Sequence, residues 1–359
     1  MSLESQIKKM IDMFGPMDLG TYMQMCLTDH KEGYYIKRSP IGKDGDFITA
    51  PEISQMFGEL LGAWIGDLWQ RAEKPSFTLL ECGPGRGTLM LDILRVSEKF
   101  DGFADAADIY LLEMSPVLRK QQKNALDSKK ITWVEDLRDI PTSKPIICIA
   151  NEFLDALPIR QLVKDKKGWM ERAIIHNDKD PQELSFDLRP AEHDLLQFLP
   201  EHGRECEEGE MYEISPDRMN WLLFFSQLIK DATGIALFID YGYDQVARGD
   251  TFQAVKDHSY ADPLKDPGAS DLTAHVDFSQ IAYAAEQTYL SSYGPVYQGE
   301  FLKKLGIEER ARILKKNADN SARLKLDGEL GRLTSSDQMG ELFKVMAIAN
   351  QAFPKPEGF

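Results

Sequence analysis

Residues 76–91 read SFTLLECGPGRGTLML and combine three patterns that predict the start of a parallel α/β sheet. Residues 77–80 form a short apolar run, which is typical of a buried parallel strand. Glu81 follows at the carboxyl end of that run. Three glycines come next at every second position: Gly83, Gly85 and Gly87. The apolar side chains after them recur at helical spacing, so the turn opens a helix: Leu89, Ile93 and Val96.

The glycine turn predicts a nucleoside ligand, because glycines without a Cβ let a ligand approach the backbone closely. A dinucleotide fold has the spacing G-x-G-x-x-G, and a phosphate loop ends in Gly-Lys-Ser/Thr. This chain instead has Glu81-x-Gly83-x-Gly85-x-Gly87, followed by Thr88. The pattern resembles motif I of class I S-adenosylmethionine-dependent methyltransferases. That resemblance implies that the glycines face the methionine part of the cofactor, and that the acid supports the loop and the cofactor's amino group.

Composition indicates a globular protein with an acidic balance. The chain has 359 residues, 43% of them hydrophobic and 28% charged, and a formal net charge of −16. This charge argues against nucleic acid or an anionic membrane as partner and suits a basic one. No apolar stretch approaches transmembrane length, and residues 1–14 lack the features of a signal or transit peptide, so a cytoplasmic location is expected. The cysteines are far apart without a C-x-x-C motif, which predicts reduced thiols and no metal site: Cys26, Cys82, Cys148 and Cys206.

Two further predicted strands end in acids. Residues 109–112 form an apolar run that ends at Glu113, near the place where nucleoside-binding sheets put the acid that binds the ribose. A carboxylate there can accept hydrogen bonds from two hydroxyls; its alternative role is to cap the next helix. Residues 131–134 form a third strand, and Asp136 after it is the candidate acceptor for the exocyclic amine of adenine.

Residues 145–150 form a fourth strand, which leads directly into Asn151, Glu152 and, three residues later, Asp155. Open parallel sheets bind ligands at the carboxyl ends of their strands. Two acids and an amide at such an end are therefore placed for chemistry. The alternative is that these polar residues only mark where the chain meets water.

Around this sheet the sequence predicts an N-terminal helical region and a β-rich insertion. The loop at 39–52 contains Asp46, and loops of this length are usually functional or disordered. We expect it to fold over the ligand; the alternative is a solvated connector. Residues 159–212 break the helix–strand alternation and read as β strands joined by polar turns. The predicted parts are an N-terminal helical region with the covering loop, the first part of the sheet domain, the inserted lobe, and the second part with helical insertions: 1–73, 74–158, 159–212 and 213–359.

Several stretches together resemble the MidA-like family, whose mitochondrial members are arginine methyltransferases that assist complex I assembly. The matching runs are 45–52, 81–89, 111–116, 151–160, 239–242, 271–278 and 298–302. The resemblance implies an α/β fold with the Rossmann-like, seven-stranded sheet of class I methyltransferases. It also implies S-adenosylmethionine as cofactor and an arginine of a partner protein as acceptor. The expected cofactor-binding residues are Glu81, Gly83, Gly85, Gly87, Thr88, Glu113, Asp136, Asn151 and Asp46.

The expected chemistry is methyl transfer to a guanidinium. Because this group stays protonated in water, the enzyme must hold it with carboxylates that localise its charge. Glu152 and Asp155 are the candidates for that task, and His275 is a candidate base. Two alternatives remain open: a small-molecule methyltransferase with the insertion as its lid, and an assembly chaperone that binds cofactor without turnover. A client protein is the expected partner, and a homodimer is one expected assembly.

Overall fold

The computed structural model describes residues 1–37, 42, 45–46, 48–126, 130–199, 206–244 and 248–359. Contacts divide the chain into two compact units. The first, called the accessory unit here, comprises Met1–Phe47, Leu154–Trp221 and Gln245–Asp277. The second, called the sheet unit, comprises Ile48–Phe153, Leu222–Asp244 and Phe278–Phe359. The four-part division expected from the sequence stays a prediction.

The helices and strands alternate along much of the chain. The helices are α1 (Leu3–Phe14), α2 (Leu19–Thr28), α3 (Tyr34–Lys37), α4 (Ala50–Ile53), α5 (Gln55–Arg71), α6 (Thr88–Ser97), α7 (Phe103–Ala106), α8 (Pro116–Ala125), α9 (Pro216–Asp231), α10 (Phe278–Gln287), α11 (Gln298–Lys304), α12 (Ile307–Lys315), α13 (Asn320–Thr334) and α14 (Met339–Leu342). The strands are β1 (Met17–Asp18), β2 (Phe77–Cys82), β3 (Ala107–Leu112), β4 (Ile131–Val134), β5 (Ile146–Asn151), β6 (Arg160–Asp165), β7 (Gly168–His176), β8 (Leu184–Pro190), β9 (Met211–Ile214), β10 (Ile235–Tyr243), β11 (Gln253–Lys256), β12 (Ser259–Ala261), β13 (Asp271–Thr273), β14 (Val276–Asp277), β15 (Ser291–Tyr297) and β16 (Phe343–Ala349).

The sheet unit is built around seven strands in the order β15-β16-β10-β5-β2-β3-β4. Strands β10, β5, β2, β3 and β4 are parallel, whereas β16 pairs antiparallel with both β10 and β15. Every residue of β2, β5 and β16 is buried, as expected for strands covered on both faces. The core packs this sheet against helices of the same unit through side chains such as Trp64, Ile93 and Phe301. The predicted fold class is therefore confirmed.

The accessory unit contains two small antiparallel sheets. Five strands form the larger one in the order β1-β7-β6-β9, with β8 paired to β7. The smaller one has the order β12-β11-β13. Side chains of α1 and α2 pack on these strands in a separate core that includes Ile7, Tyr22, Ile174 and Leu272. Strands β6, β7 and β8 lie within the stretch 159–212, for which the sequence predicts β structure.

Candidate functional site

The parallel strands bring the predicted polar residues to one edge of the sheet unit. Glu81 is paired in register with Leu111 on β3 and with Ile149 on β5. Glu113 and Asn151 lie two residues further along those two strands. Because side chains alternate between faces with a period of two, Glu81, Glu113 and Asn151 share one face of the sheet. Glu81 lies on the strand between the other two.

The turn after β2 has a backbone that favours glycine. Gly83, Gly85 and Gly87 have φ angles of +66°, +53° and +85°. A Cβ on Gly83 would lie 2.9 Å from Cδ2 of Phe153, so a side chain there would require the Phe153 ring or the turn to shift. Helix α6 then begins at Thr88, and its N-cap Gly87 offers no side-chain hydrogen bond. Gly87 has no side chain to cap the first N–H groups of α6, and helix N-termini of this kind can bind an acceptor group of a ligand.

Glu81 is a buried acid, 3% exposed. Its Oε2 atom has no hydrogen-bond partner among the described residues. Burial raises the pKa of Glu81 to about 8, and the neighbouring carboxylate of Glu113 adds to the rise. The raised pKa favours the protonated side chain at neutral pH, and Oε2 is a buried oxygen to which no described residue donates.

Glu113 is held in place by donors on α8 and at its start. Oε1 accepts a hydrogen bond from the N–H of Ser115 at 2.7 Å, and Oε2 accepts one from Nε2 of Gln122 at 3.0 Å. The same Nε2 donates to the carbonyl of Gly85 at 2.8 Å, so Gln122 links the acid to the glycine turn. Burial raises the pKa of Glu113, and these hydrogen bonds oppose the rise. A carboxylate so fixed keeps lone pairs for two hydroxyl donors.

Asn151 and Glu152 form a second fixed group at the end of β5. Nδ2 of Asn151 donates to Oε1 of Glu152 at 3.1 Å, and the N–H of Ala50 donates to the same oxygen at 3.0 Å. Glu152 has φ +50°, a left-handed conformation that is uncommon for a residue with a side chain. Oδ1 of Asn151, which is 8% exposed overall, has no partner among the residues that the structure describes. It is a second unpaired acceptor on the face that carries Glu81.

Glu52 is a site residue that the sequence interpretation did not assign. Its Oε1 accepts a hydrogen bond from Oγ1 of Thr88, and its Oε2 accepts one from Nη1 of Arg86 at 3.3 Å. Together with the bond from Ala50 to Glu152, these contacts fix α4 both to the glycine turn and to the end of β5. The signal available in the sequence was its place in the polar loop at 39–52. Residues 38–41, 43–44 and 47 of that region lie outside the described residues.

Asp136 follows β4 at the same edge, but its carboxylate already has local partners. It accepts hydrogen bonds at 2.8 Å from the backbone N–H and from Nε of Arg138. The hydrogen bonds from Arg138 lower the pKa of Asp136 to about 2. Its role towards adenine stays a prediction.

The three other predicted residues lie in the accessory unit. Asp46 accepts hydrogen bonds from the hydroxyl of Tyr34 at 2.6 Å and from the N–H of Asp257 at 2.8 Å. The carbonyl of Asp155 accepts the N–H of Ala274 at 3.1 Å. His275 is half-buried, and its backbone N–H donates to Oγ1 of Thr251 at 2.9 Å. The cofactor role of Asp46 and the catalytic roles of Asp155 and His275 remain predictions.

The accessory unit also contains a buried acid that the sequence interpretation quoted without giving it a role. Asp271 accepts a hydrogen bond from the hydroxyl of Tyr35 at 2.8 Å. Burial raises the pKa of Asp271 to about 8, and the charge of Asp155 contributes to the rise. Among the described residues there is no cluster of His, Cys, Asp or Glu suited to a metal ion, and no helix long and apolar enough to cross a membrane.

The site in the sheet unit fits S-adenosylmethionine. The glycine turn leaves backbone accessible, Glu113 offers acceptors for a ribose, and Glu81 and Asn151 offer buried unpaired oxygens for an ammonium group. Fold and site together define a class I methyltransferase. A family model described as "putative S-adenosyl-L-methionine-dependent methyltransferase" matches residues 60–296, and the chain belongs to this family.

Named relatives and a solved structure agree with this assignment. The chain is 37% identical to protein arginine methyltransferase NDUFAF7, mitochondrial, of Homo sapiens over 363 residues, which cover 93% of this chain and 80% of that protein. It is 36% identical to the Xenopus tropicalis protein of the same name over 364 residues, covering 94% and 83%. A Burkholderia thailandensis crystal structure bound to S-adenosyl-homocysteine matches with a TM-score of 0.85 and 26% identity, covering 99% of this chain and 93% of that chain. The predicted family and cofactor are thus confirmed.

Proposed function

We propose that this protein transfers a methyl group from S-adenosylmethionine to an arginine guanidinium of a partner protein. The observation that carries the choice of acceptor is the identity of 36–37% over more than nine-tenths of the chain to relatives named protein arginine methyltransferase. The membership of the methyltransferase family supplies the reaction class. When bound, the cofactor supplies an electrophilic methyl group.

Residues of the sheet unit hold the cofactor in this proposal. The glycine turn and Thr88 lie against its methionine part, Glu113 accepts the ribose hydroxyls, and Asp136 accepts the adenine amine. Asn151 and Glu81 accept the hydrogen bonds of its ammonium group. Fixing the reacting groups in line can supply up to roughly 7–11 kcal/mol of the acceleration.

The acceptor is held by carboxylates. A guanidinium has a planar fork of donors, which a carboxylate can engage in two places, whereas a lysine ammonium is a point charge. Glu152 of the sheet unit has one oxygen engaged by Ala50 and Asn151, which fixes the orientation of its carboxylate. Asp155 is assigned as the second acid and His275 as the base that takes the released proton.

A basic client protein suits the formal charge of −16, and the proposal includes neither nucleic acid nor a membrane as partner. The cysteines of the structure are free thiols, which supports the proposed cytoplasmic location because such thiols are typical of reducing compartments. The proposed homodimer is checked by light scattering of the purified protein.

The test is tandem mass spectrometry of proteins from a deletion strain to which wild-type enzyme, Glu152→Gln or Asp92→Asn is restored. Asp92 is a matched control, because it is a buried acid that packs against Gly58 of α5. Wild type and Asp92→Asn should restore methyl groups on arginine. Glu152→Gln should bind cofactor normally and reduce transfer by orders of magnitude, because a charge-assisted hydrogen bond contributes roughly 1.5–3 kcal/mol before any catalytic role.

The position of the methyl group decides between the alternatives. Enzyme-dependent methylation found only on lysine, on nucleic acid or on a metabolite would overturn the arginine acceptor. Cofactor binding without any enzyme-dependent methylation would replace the proposed enzyme by an assembly chaperone.

A further inference from the structure

The environment of Glu81 contains acceptors and a negative charge. Glu113 on the neighbouring strand raises the pKa of Glu81 further, and Glu113 is itself held by Ser115 and Gln122. On the other side, Asn151 on β5 turns an unpaired carbonyl oxygen to the same face. Burial raises the pKa of the Cys148 thiol on β5 well above its ordinary value and Glu81 adds to the rise, so this thiol is neutral. Arg119 of α8 acts on Glu113 and draws its pKa down.

An ionised carboxylate in this position would be unfavourable. A buried charge needs hydrogen-bond donors or an opposite charge, and Oε2 of Glu81 has no donor among the described residues. The nearby carboxylate of Glu113 adds repulsion. The cofactor-free protein therefore keeps Glu81 protonated, as its pKa of about 8 also indicates.

We propose that Glu81 selects ligands that carry an ammonium group, by giving up its proton when that group binds beside it. The inference rests on the proposed function, since it takes S-adenosyl ligands as the occupants of the glycine-turn site. Beyond supporting the loop and accepting a hydrogen bond from the amino group, Glu81 then acts as a specificity-determining residue through the loss of its proton.

The exchange balances in charge and in protons. Before binding, Glu81 is a neutral carboxylic acid, and the ligand's amine is an ammonium with three N–H donors. After binding, the carboxylate and the ammonium form an ion pair, and the carboxyl proton is released to the buffer. Oδ1 of Asn151 accepts another ammonium hydrogen bond, which an ion pair buried in this way needs. A ligand without an amine leaves Glu81 protonated and releases nothing.

Two nucleosides separate these outcomes. S-adenosylhomocysteine carries the ammonium, whereas 5′-methylthioadenosine has the same adenosine and thioether but lacks the amino acid. We expect isothermal titration at pH 7, in buffers of different ionisation enthalpy, to show release of close to one proton with S-adenosylhomocysteine and close to none with methylthioadenosine. The affinity for S-adenosylhomocysteine should rise about tenfold from pH 6 to pH 7, while that for methylthioadenosine stays flat.

Two variants assign the proton to Glu81. Glu81→Gln, checked for folding by circular dichroism, should bind S-adenosylhomocysteine more weakly, without proton release and without the pH dependence. Asp92→Asn changes another buried acid of the same unit and should behave as wild type. If Glu81→Gln does not fold, the comparison of proton release with the two ligands on the wild-type protein still tests the proposal.

The possible failures are distinct. Tight binding of S-adenosylhomocysteine without proton release, or equal release with methylthioadenosine, would overturn this inference and leave the proposed function standing. Proton release that persists in folded Glu81→Gln would assign the proton to another group and also overturn it. No binding of S-adenosylhomocysteine by the wild-type protein would overturn both.

Discussion

Replacing Gly83 by alanine tests whether the glycine turn is required by its packing as well as by its backbone. The residue has φ +66°, and a non-glycine residue in the left-handed region costs roughly 1–2 kcal/mol. The new Cβ would also lie 2.9 Å from Cδ2 of Phe153, a contact that real Cβ atoms essentially never make. Overpacking of this kind typically costs about 1–3 kcal/mol. We therefore expect Gly83→Ala to lower the stability of the sheet unit by about 2–5 kcal/mol.

A matched control separates the two contributions. Gly306, in the same unit, has φ +93° and no atom within 4 Å of an added Cβ, so Gly306→Ala should cost only about 1–2 kcal/mol. Hydrogen exchange of the β2 amides measures the opening of this unit without assuming that the whole chain unfolds in one step. Adding Phe153→Ala to Gly83→Ala should remove the extra loss of stability that comes from the contact between the new Cβ and the Phe153 ring. Equal losses for Gly83→Ala and Gly306→Ala would refute the packing requirement.

Three further results are expected. Gly85→Val should abolish S-adenosylhomocysteine binding in isothermal titration, because a branched side chain would occupy the ligand's space. Since φ of Gly85 is +53°, valine is also strained there, so circular dichroism checks that the variant is folded. Normal binding by the folded variant would contradict the assignment of the turn. Glu52 fixes α4 to Thr88, so Glu52→Gln should speed dissociation of S-adenosylhomocysteine. In the wild-type protein, amide hydrogen exchange of residues 48–53 should slow when this ligand is added. Unchanged exchange in these residues would show that the segment is a simple connector. The pKa of Glu81 in the folded protein, about 8, lies above the ordinary value of 4.5. The protonated side chain therefore stabilises the folded protein fully below about pH 4.5, and this contribution is lost as the pH rises through 8. Glu81→Gln should therefore gain melting temperature relative to cofactor-free wild type as the pH rises, and parallel melting curves would show that the acid is not protonated in the folded protein.

The local part of the site was predictable because short-range patterns determine it. The apolar run before Glu81, the glycine spacing after it and the helical repeat beyond are all local, and the structure confirms strand, turn and helix. Glu113 and Asn151 were found because parallel strands place their carboxyl ends at one edge. Once the order of the strands in the sheet is known, the sequence positions of these residues therefore indicate where they lie along its edge.

The missed features depend on distant partners. Gln122 faces Glu113 and Gly85 only because α8 packs beside the turn, and its sequence neighbours give no sign of this. The strand β15 and the small sheet β11–β13 lie in stretches for which the sequence predicts no strand. Such short, partly polar strands are stabilised by the strands beside them rather than by their own propensity.

The position of β16 has a consequence for how the protein forms during synthesis. This strand, Phe343–Ala349, pairs with β10 on one side and with β15 on the other, so it occupies the interior of the sheet. A ribosome delivers it more than 90 residues after β10. Until then β10 presents an unpaired edge that is apolar over residues 235–239, the kind of surface that invites aggregation and chaperone binding. Folding of the cofactor-binding unit is therefore expected to finish only once β16 has been synthesised, slowly and with high contact order.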